Sequence, residues 1–119
     1  MREEVIRVVE AYIDAVRNKN LDAVPIHSDV VFEGPIRNIR GIANFQKGME
    51  EFFPILRGIE VVHLTADDDT CAAVLKVDTI FGLLPSVDFF QIVAGEIVSV
   101  RAYFDPRPIL DGMGRILDS

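Results

Sequence analysis

The apolar residues of this chain change their spacing once, near Ile59, and that change restricts the folds open to it. Before Ile59 they recur at helical intervals. After it they fall in β-branched runs separated by turn residues. Val5, Val9, Tyr12 and Val16 form one helical stripe, widened by Ile6 and Ile13. Asn18-Lys19-Asn20 ends that helix, and Asn20 is positioned to cap a short second helix over Leu21 to Val24, closed by Pro25. Val30 to Glu33 reads as a short strand stopped by Gly34-Pro35. A third helix starts near Gly41, carries the stripe Ile42, Phe45, Met49, Phe52 and Phe53, and ends or kinks at Pro54.

The second half reads as strands. Ile59 to Thr65 is one, Asp67-Asp68-Asp69-Thr70 a turn, and Cys71 to Phe81 a long run. Gly82-Leu83-Leu84-Pro85 reads as a connection and Val87 to Val93 as a strand. Ala94-Gly95 makes a tight turn, and Ile97 to Phe104 is the last strand. This order predicts one α+β domain over residues 1–119, with helices on one face of a curved antiparallel sheet. The sheet has six strands if the long run bends.

Strand alternation places Val98, Val100, Ala102 and Phe104 on one face, and Ile97, Ser99, Arg101, Tyr103 and Asp105 on the other. In the preceding strand Asp88 shares a face with Phe90 and Ile92, opposite Val87, Phe89, Gln91 and Val93. Both faces are largely apolar. One packs on the helices; the other needs cover, and a second copy of the chain is the simplest cover, so a homodimer through the outer sheet face is expected.

With 119 residues, half of them hydrophobic, the chain can bury a core or a modest cavity. A net charge of −7 argues against nucleic acid, which needs a basic footprint, and against an anionic membrane surface. Cys71 is the single cysteine, so neither an intrachain disulfide nor a cysteine metal cluster is available, and it reads as a small buried apolar residue. The N-terminus opens on Arg2-Glu3-Glu4 without an apolar signal core, and no run approaches the roughly 20 apolar residues of a membrane span. A cytoplasmic protein is expected.

Asp88 is the residue that asks for chemistry. An acid in so apolar a strand is either held by hydrogen bonds for structural reasons or faces a pocket where an acid acts. Tyr12, on the apolar stripe, is either a core tyrosine or a hydrogen-bond donor to a ligand. His63, between Val62 and Leu64, is either a sheet histidine or a base whose ordinary pKa suits proton transfer near neutrality. His27 reads first as a loop residue capping local backbone, and Asp78 as an outward strand residue. Arg101 and Arg107 read as outer-face or tail charges. The histidines and acids lack metal-ligand spacing, and Asp67-Asp68-Asp69 lacks the calcium-loop pattern, so no metal and no other cofactor is expected.

Ala11-Tyr12-Ile13-Asp14, Asp29-Val30-Val31-Phe32-Glu33-Gly34-Pro35, the helix start from Gly41 to Phe45, and Ala102-Tyr103-Phe104-Asp105-Pro106 together resemble a known family. It is the SnoaL-like, ketosteroid isomerase-like branch of the nuclear transport factor 2 superfamily. The resemblance covers nearly the whole chain. It implies a cone, also described as a cystatin-like α+β barrel: a bent sheet wrapped around a long helix, enclosing an apolar pocket. The family includes ketosteroid isomerases, limonene-epoxide hydrolases and polyketide cyclases, and this fold carries unrelated activities.

The resemblance also implies roles. Tyr12 matches a tyrosine that donates to the substrate oxyanion in the isomerases, and Asp88 matches a protonated aspartic acid that is the second donor. The isomerases' general base falls on Gly34, which cannot serve. The epoxide-hydrolase pattern has an arginine at the Ser86 position and a second aspartate at the Ala102 position, so Asp88 alone remains of that triad. His63 is the remaining candidate base. Three readings stay open. The first is an enzyme acting by isomerisation, ring closure or hydrolysis on a hydrophobic substrate lined by Phe32, Phe45, Phe52, Phe90, Val100 and Phe104. The second is a non-catalytic binder of an apolar small molecule. The third is a structural dimer module whose pocket is plugged by phenylalanine, of which there are eight. The tail from Pro106 through Ile109, Leu110, Met113 and Ile116 to Ser119 could lid the pocket, extend a dimer contact or trail free.

Overall fold

A computed structural model describes the backbone of residues 1–118 and the side chains of residues 1–116, so Ser119 lies outside the described residues. Helix α1, Arg2–Arg17, buries Val5, Val9, Tyr12, Ile13 and Val16 along the expected stripe. Glu3 and Glu4 in its first turn and Arg17 in its last complement the helix dipole. Arg17 also donates through Nε and Nη2 to the Ile59 carbonyl at 3.2 and 2.9 Å, tying the helix end to the sheet. Lys19 takes a left-handed conformation, φ 59°, as the chain turns off the helix. The short helix expected over Leu21 to Val24 does not form. Asn20 accepts a hydrogen bond from the Asp22 amide at 3.0 Å, an Asx turn that holds the segment without further helical turns.

Strand β1, Ile26–Glu33, starts earlier than its apolar core suggests, and β2 is the three-residue Asn38–Arg40. Helix α2, Ile42–Phe52, begins after Gly41, whose φ of 90° suits glycine, and passes into a 3-10 turn, Phe53–Ile55, containing Pro54. Four long strands follow: β3, Leu56–Ala66; β4, Thr70–Thr79; β5, Gly82–Val93; and β6, Glu96–Phe104. Helix α3, Arg107–Asp118, occupies the tail.

The six strands form one curved, unclosed sheet in the order β2-β1-β6-β5-β4-β3. The α+β cone is therefore present, with two corrections. Four junctions are antiparallel, but β1 runs parallel to β6, so the sheet is mixed. The sixth strand is β2, not a bent half of the long run. Gly82 to Pro85, expected as a connection, belongs to β5. Those residues pair with β4 alone, because β6 pairing begins at Ser86, and a proline is tolerated on such a locally free edge.

β-Bulges account for the errors in alternation. Gln91 pairs with Ser99 and Ile92 with Ile97, which leaves Val98 as the extra residue of β6. Ile97 therefore turns inward beside Val100, both fully buried, against the simple alternation that set them on opposite faces. A second bulge at Val62 lets Val61 pair with Leu75 and His63 with Val74. The core gathers the inner stripe of α1, Phe45 of α2, and the inward residues of β4, β5 and β6.

Candidate active site

The core is not filled. A cavity of about 480 Å³ lies between the inner sheet face and the three helices, within the usual range of small-molecule sites. Tyr12, Ile13 and Val16 of α1 form one wall, and Leu75 and Val77 of β4 with Leu84, Ser86 and Asp88 of β5 form another. Phe32 of β1, Phe45, Met49 and Phe52 of α2, and Ala102 and Phe104 of β6 contribute further apolar surface. Ile109, Leu110 and Met113 bring α3 over the open side.

Two polar groups meet inside this wall. Inward alternation along β5 puts Asp88 in line with Leu84, Ser86, Phe90 and Ile92. Burial pushes its carboxyl pKa up from 3.8 to about 7. Tyr12 is 4% exposed, with its ring edge-on to Phe90 at a centroid distance of 5.2 Å and tilted against Phe45 at 6.3 Å. Burial, then the nearby Asp88 charge, drives the Tyr12 hydroxyl pKa far above its ordinary value. It is a neutral hydrogen-bond donor at any working pH. Among the described residues, neither the Tyr12 hydroxyl nor the Asp88 carboxyl takes a hydrogen-bond partner within the protein. An acid and a phenol held in an apolar wall, near enough to sense each other, present their polar atoms to the cavity.

The other candidates separate cleanly. Phe32, Phe45, Phe52 and Phe104 line the cavity, whereas Phe90 and Val100 are fully buried and do not line it. Phe90 instead supports the Tyr12 ring. His63 does not approach Asp88. The bulge at Val62 turns it to the outer face, where Nε2 lies 2.9 Å from the Thr65 hydroxyl. It is an exposed sheet histidine that does not line the cavity. His27 lies in β1, and its Nδ1 accepts the Asp29 amide at 3.0 Å. Asp78 is exposed on the outer side of β4, and Cys71 is buried. Arg101 reaches Glu33 at 3.7 Å on the outer face, and Arg107 pairs with Asp105 at 2.6 Å.

Gly34, Ser86 and Ala102 all line the cavity. The positions that the resemblance assigned to a base, an arginine and a second acid are therefore in the right place but carry no such group. Ser86 turns its hydroxyl to the Leu84 carbonyl at 3.4 Å. Leu84, Leu75 and Val77 escaped sequence reasoning as lining residues. Leu84 seemed to lie in a loop, and periodicity cannot tell a residue facing a cavity from one facing a solid core. Arg37 and Glu51 also line the cavity, both half-exposed and joined to each other at 2.9 Å. Nothing in the sequence brings these two residues together.

Residues 9–100 match the SnoaL-like domain family. The chain belongs to that family. Solved structures carry the likeness over the whole fold. A LEH-like epoxide hydrolase from M. tuberculosis is 23% identical, covers 99% of this chain and 98% of its own, and superposes with a TM-score of 0.79. A candidate ketosteroid isomerase from Kribbella flavida is 22% identical over 87% of this chain and 79% of its own, with a TM-score of 0.80. A candidate polyketide cyclase from Sinorhizobium meliloti is 21% identical over 81% of this chain and 93% of its own, with a TM-score of 0.75. At these identities the likeness establishes the SnoaL-like fold and transfers no activity. No curated protein matches the chain in sequence.

Proposed function

We propose that this SnoaL-like protein is an enzyme that moves a proton on a hydrophobic small molecule, with Asp88 as acid and base and Tyr12 as hydrogen-bond donor. The observation that carries the proposal is Asp88, unpartnered within the protein, open to an apolar cavity, with a pKa near 7. A group with that pKa is divided between its two forms at neutral pH, which suits it both to take and to return a proton. In the simplest step the Asp88 carboxylate takes a proton from the carbon next to a substrate carbonyl. The C–H electron pair moves into the new C=C bond, the carbonyl π pair moves to oxygen, and the Tyr12 hydroxyl stabilises the enolate. Where the substrate carries a β,γ C=C bond the product is a dienolate, and return of the proton from Asp88 to its γ-carbon gives the conjugated isomer. Where the enolate carbon instead attacks a second carbonyl of the substrate, the Asp88 carboxylic acid protonates the resulting alkoxide and a ring is formed. A homodimer through the apolar outer sheet face belongs to the same proposal.

The test is solvent deuterium exchange at the α-carbon of an apolar bicyclic ketone, followed by NMR. Exchange above the buffer rate is expected with the native protein. Asp88→Asn should reduce it about 10²–10⁴-fold, the usual contribution of a general acid or base. Equal exchange by native protein and variant sinks the catalytic reading. A second reading draws on the missing groups at Gly34, Ser86 and Ala102, namely a binder that holds an apolar ligand by one oxygen and leaves it unchanged. Binding of the ketone without exchange selects it.

A further inference from the structure

The terminal helix is the part of the cavity wall that this chemistry leaves unused. It is anchored at two points. Its start is held by Asp105, which accepts the Arg107 amide at 3.0 Å and pairs with the guanidinium. Its middle rests on Phe81 through Gly112, where an added Cβ would come within 2.3 Å of the Phe81 ring. Ile109, between these anchors, is buried. Leu110 and Met113 are not. Both line the cavity, yet they remain 51% and 40% exposed. Ile36, across the mouth in the β1–β2 connection, also lines the cavity and is 42% exposed.

The mouth is therefore apolar on two sides and open to both cavity and solvent. Such surface is left in water while the cavity is empty and is covered when an apolar group reaches it. The charges beside it, Arg37 and Glu51, bond to each other, so together they present no net charge to a ligand at the mouth. The deep wall has the reverse character, with the unpartnered Asp88 and Tyr12.

We propose that Leu110 and Met113 are specificity-determining residues that grip the hydrocarbon end of the ligand, and that α3 closes on that end as the ligand binds. The ligand is then polar at one end only. It carries an oxygen that reaches Asp88 and Tyr12, and an uncharged apolar body that extends to the mouth. This inference rests on the reading of Asp88 as the polar anchor.

Calorimetric titration with para-ethylphenol and para-octylphenol tests it, since both carry one hydroxyl and differ only in their hydrocarbon. Native protein should prefer the octyl compound. In the Leu110→Ser/Met113→Ser double variant that preference should fall about tenfold, which corresponds to about 1.4 kcal/mol. Gly112→Ala leaves both side chains intact but pushes α3 off Phe81, and should lower the same preference. Amide exchange in α3 should slow with para-octylphenol and not with para-ethylphenol. An octyl preference unchanged in both variants, or no added protection of α3, overturns the inference. Asp88→Asn separates the two readings. It should weaken both phenols alike. If it weakens neither while the α3 variants still lose the octyl preference, the polar anchor is wrong and the assignment of Leu110 and Met113 stands.

Discussion

At Asp88, burial and ionisation oppose each other. The unfolded chain releases this proton near the ordinary value of 3.8, while the folded chain holds it to about pH 7. Between those values the unfolded state is the one that ionises freely, so stability falls as pH rises and the loss is complete above about pH 7. Asp88→Asn cannot ionise. It is expected to be more stable than the native protein at about pH 9, by up to about 4 kcal/mol, with the gap closing toward about pH 4. Urea unfolding at the two pH values checks this, and activity should move the opposite way. The rate of proton exchange should depend on an ionisation near pH 7 that Asp88→Asn abolishes. Tyr12→Phe keeps the ring contacts with Phe45 and Phe90 and removes only the donor, so it should lower turnover about 10²-fold with little change in stability. Both residues were legible as candidates because each is polar in an apolar stripe. His63 illustrates where such reasoning stops. Its direction depends on a bulge one residue earlier, set by pairing with β4 and by no local pattern.

The elements followed local chemistry where that chemistry was strong. The 3.6-residue stripe located α1 and α2, and Ala94-Gly95 located the β5–β6 hairpin. Both turn residues there have positive φ, 51° and 78°, as a type I′ turn requires. Alanine is strained in that position and asparagine is not, so Ala94→Asn should stabilise the protein by roughly 0.5–1 kcal/mol, read from thermal or urea unfolding. Gly95 cannot be replaced as easily, since a Cβ would also approach Glu4 Oε1 at 2.9 Å. Elements held by pairing alone were hidden. β2 has three residues and no period of its own, and the first half of β1 carries His27, Ser28 and Asp29, which resemble a loop. Pro85 signals a connection in sequence, yet sits in β5 because no strand lies on its open side.

Across the whole molecule, the outer sheet face is an apolar surface without an assigned contact among the described residues. His63, Val74, Val87 and Tyr103 face one another in a row across four strands, with Tyr103 57% exposed, and Phe89 lies in the next row. If a second copy covers it, sedimentation should give the mass of two chains, and Val87→Lys, which sets two like charges against each other across a twofold axis, should give one. A native monomer removes the dimer proposal and leaves the cavity chemistry untouched. The change of period at Ile59 was sufficient for an α+β fold, because helix and strand formation follow from which residues each backbone period brings to one face. It also picked out Asp88 and Tyr12, because a polar group among apolar ones is visible without coordinates. The parallel pairing of β1 with β6, the bulges that turn Ile97 inward and His63 outward, and the placement of α3 along a cavity were decided only in three dimensions. Each depends on contacts between residues distant in the chain, and the free energy of those contacts is written in no local stretch of it.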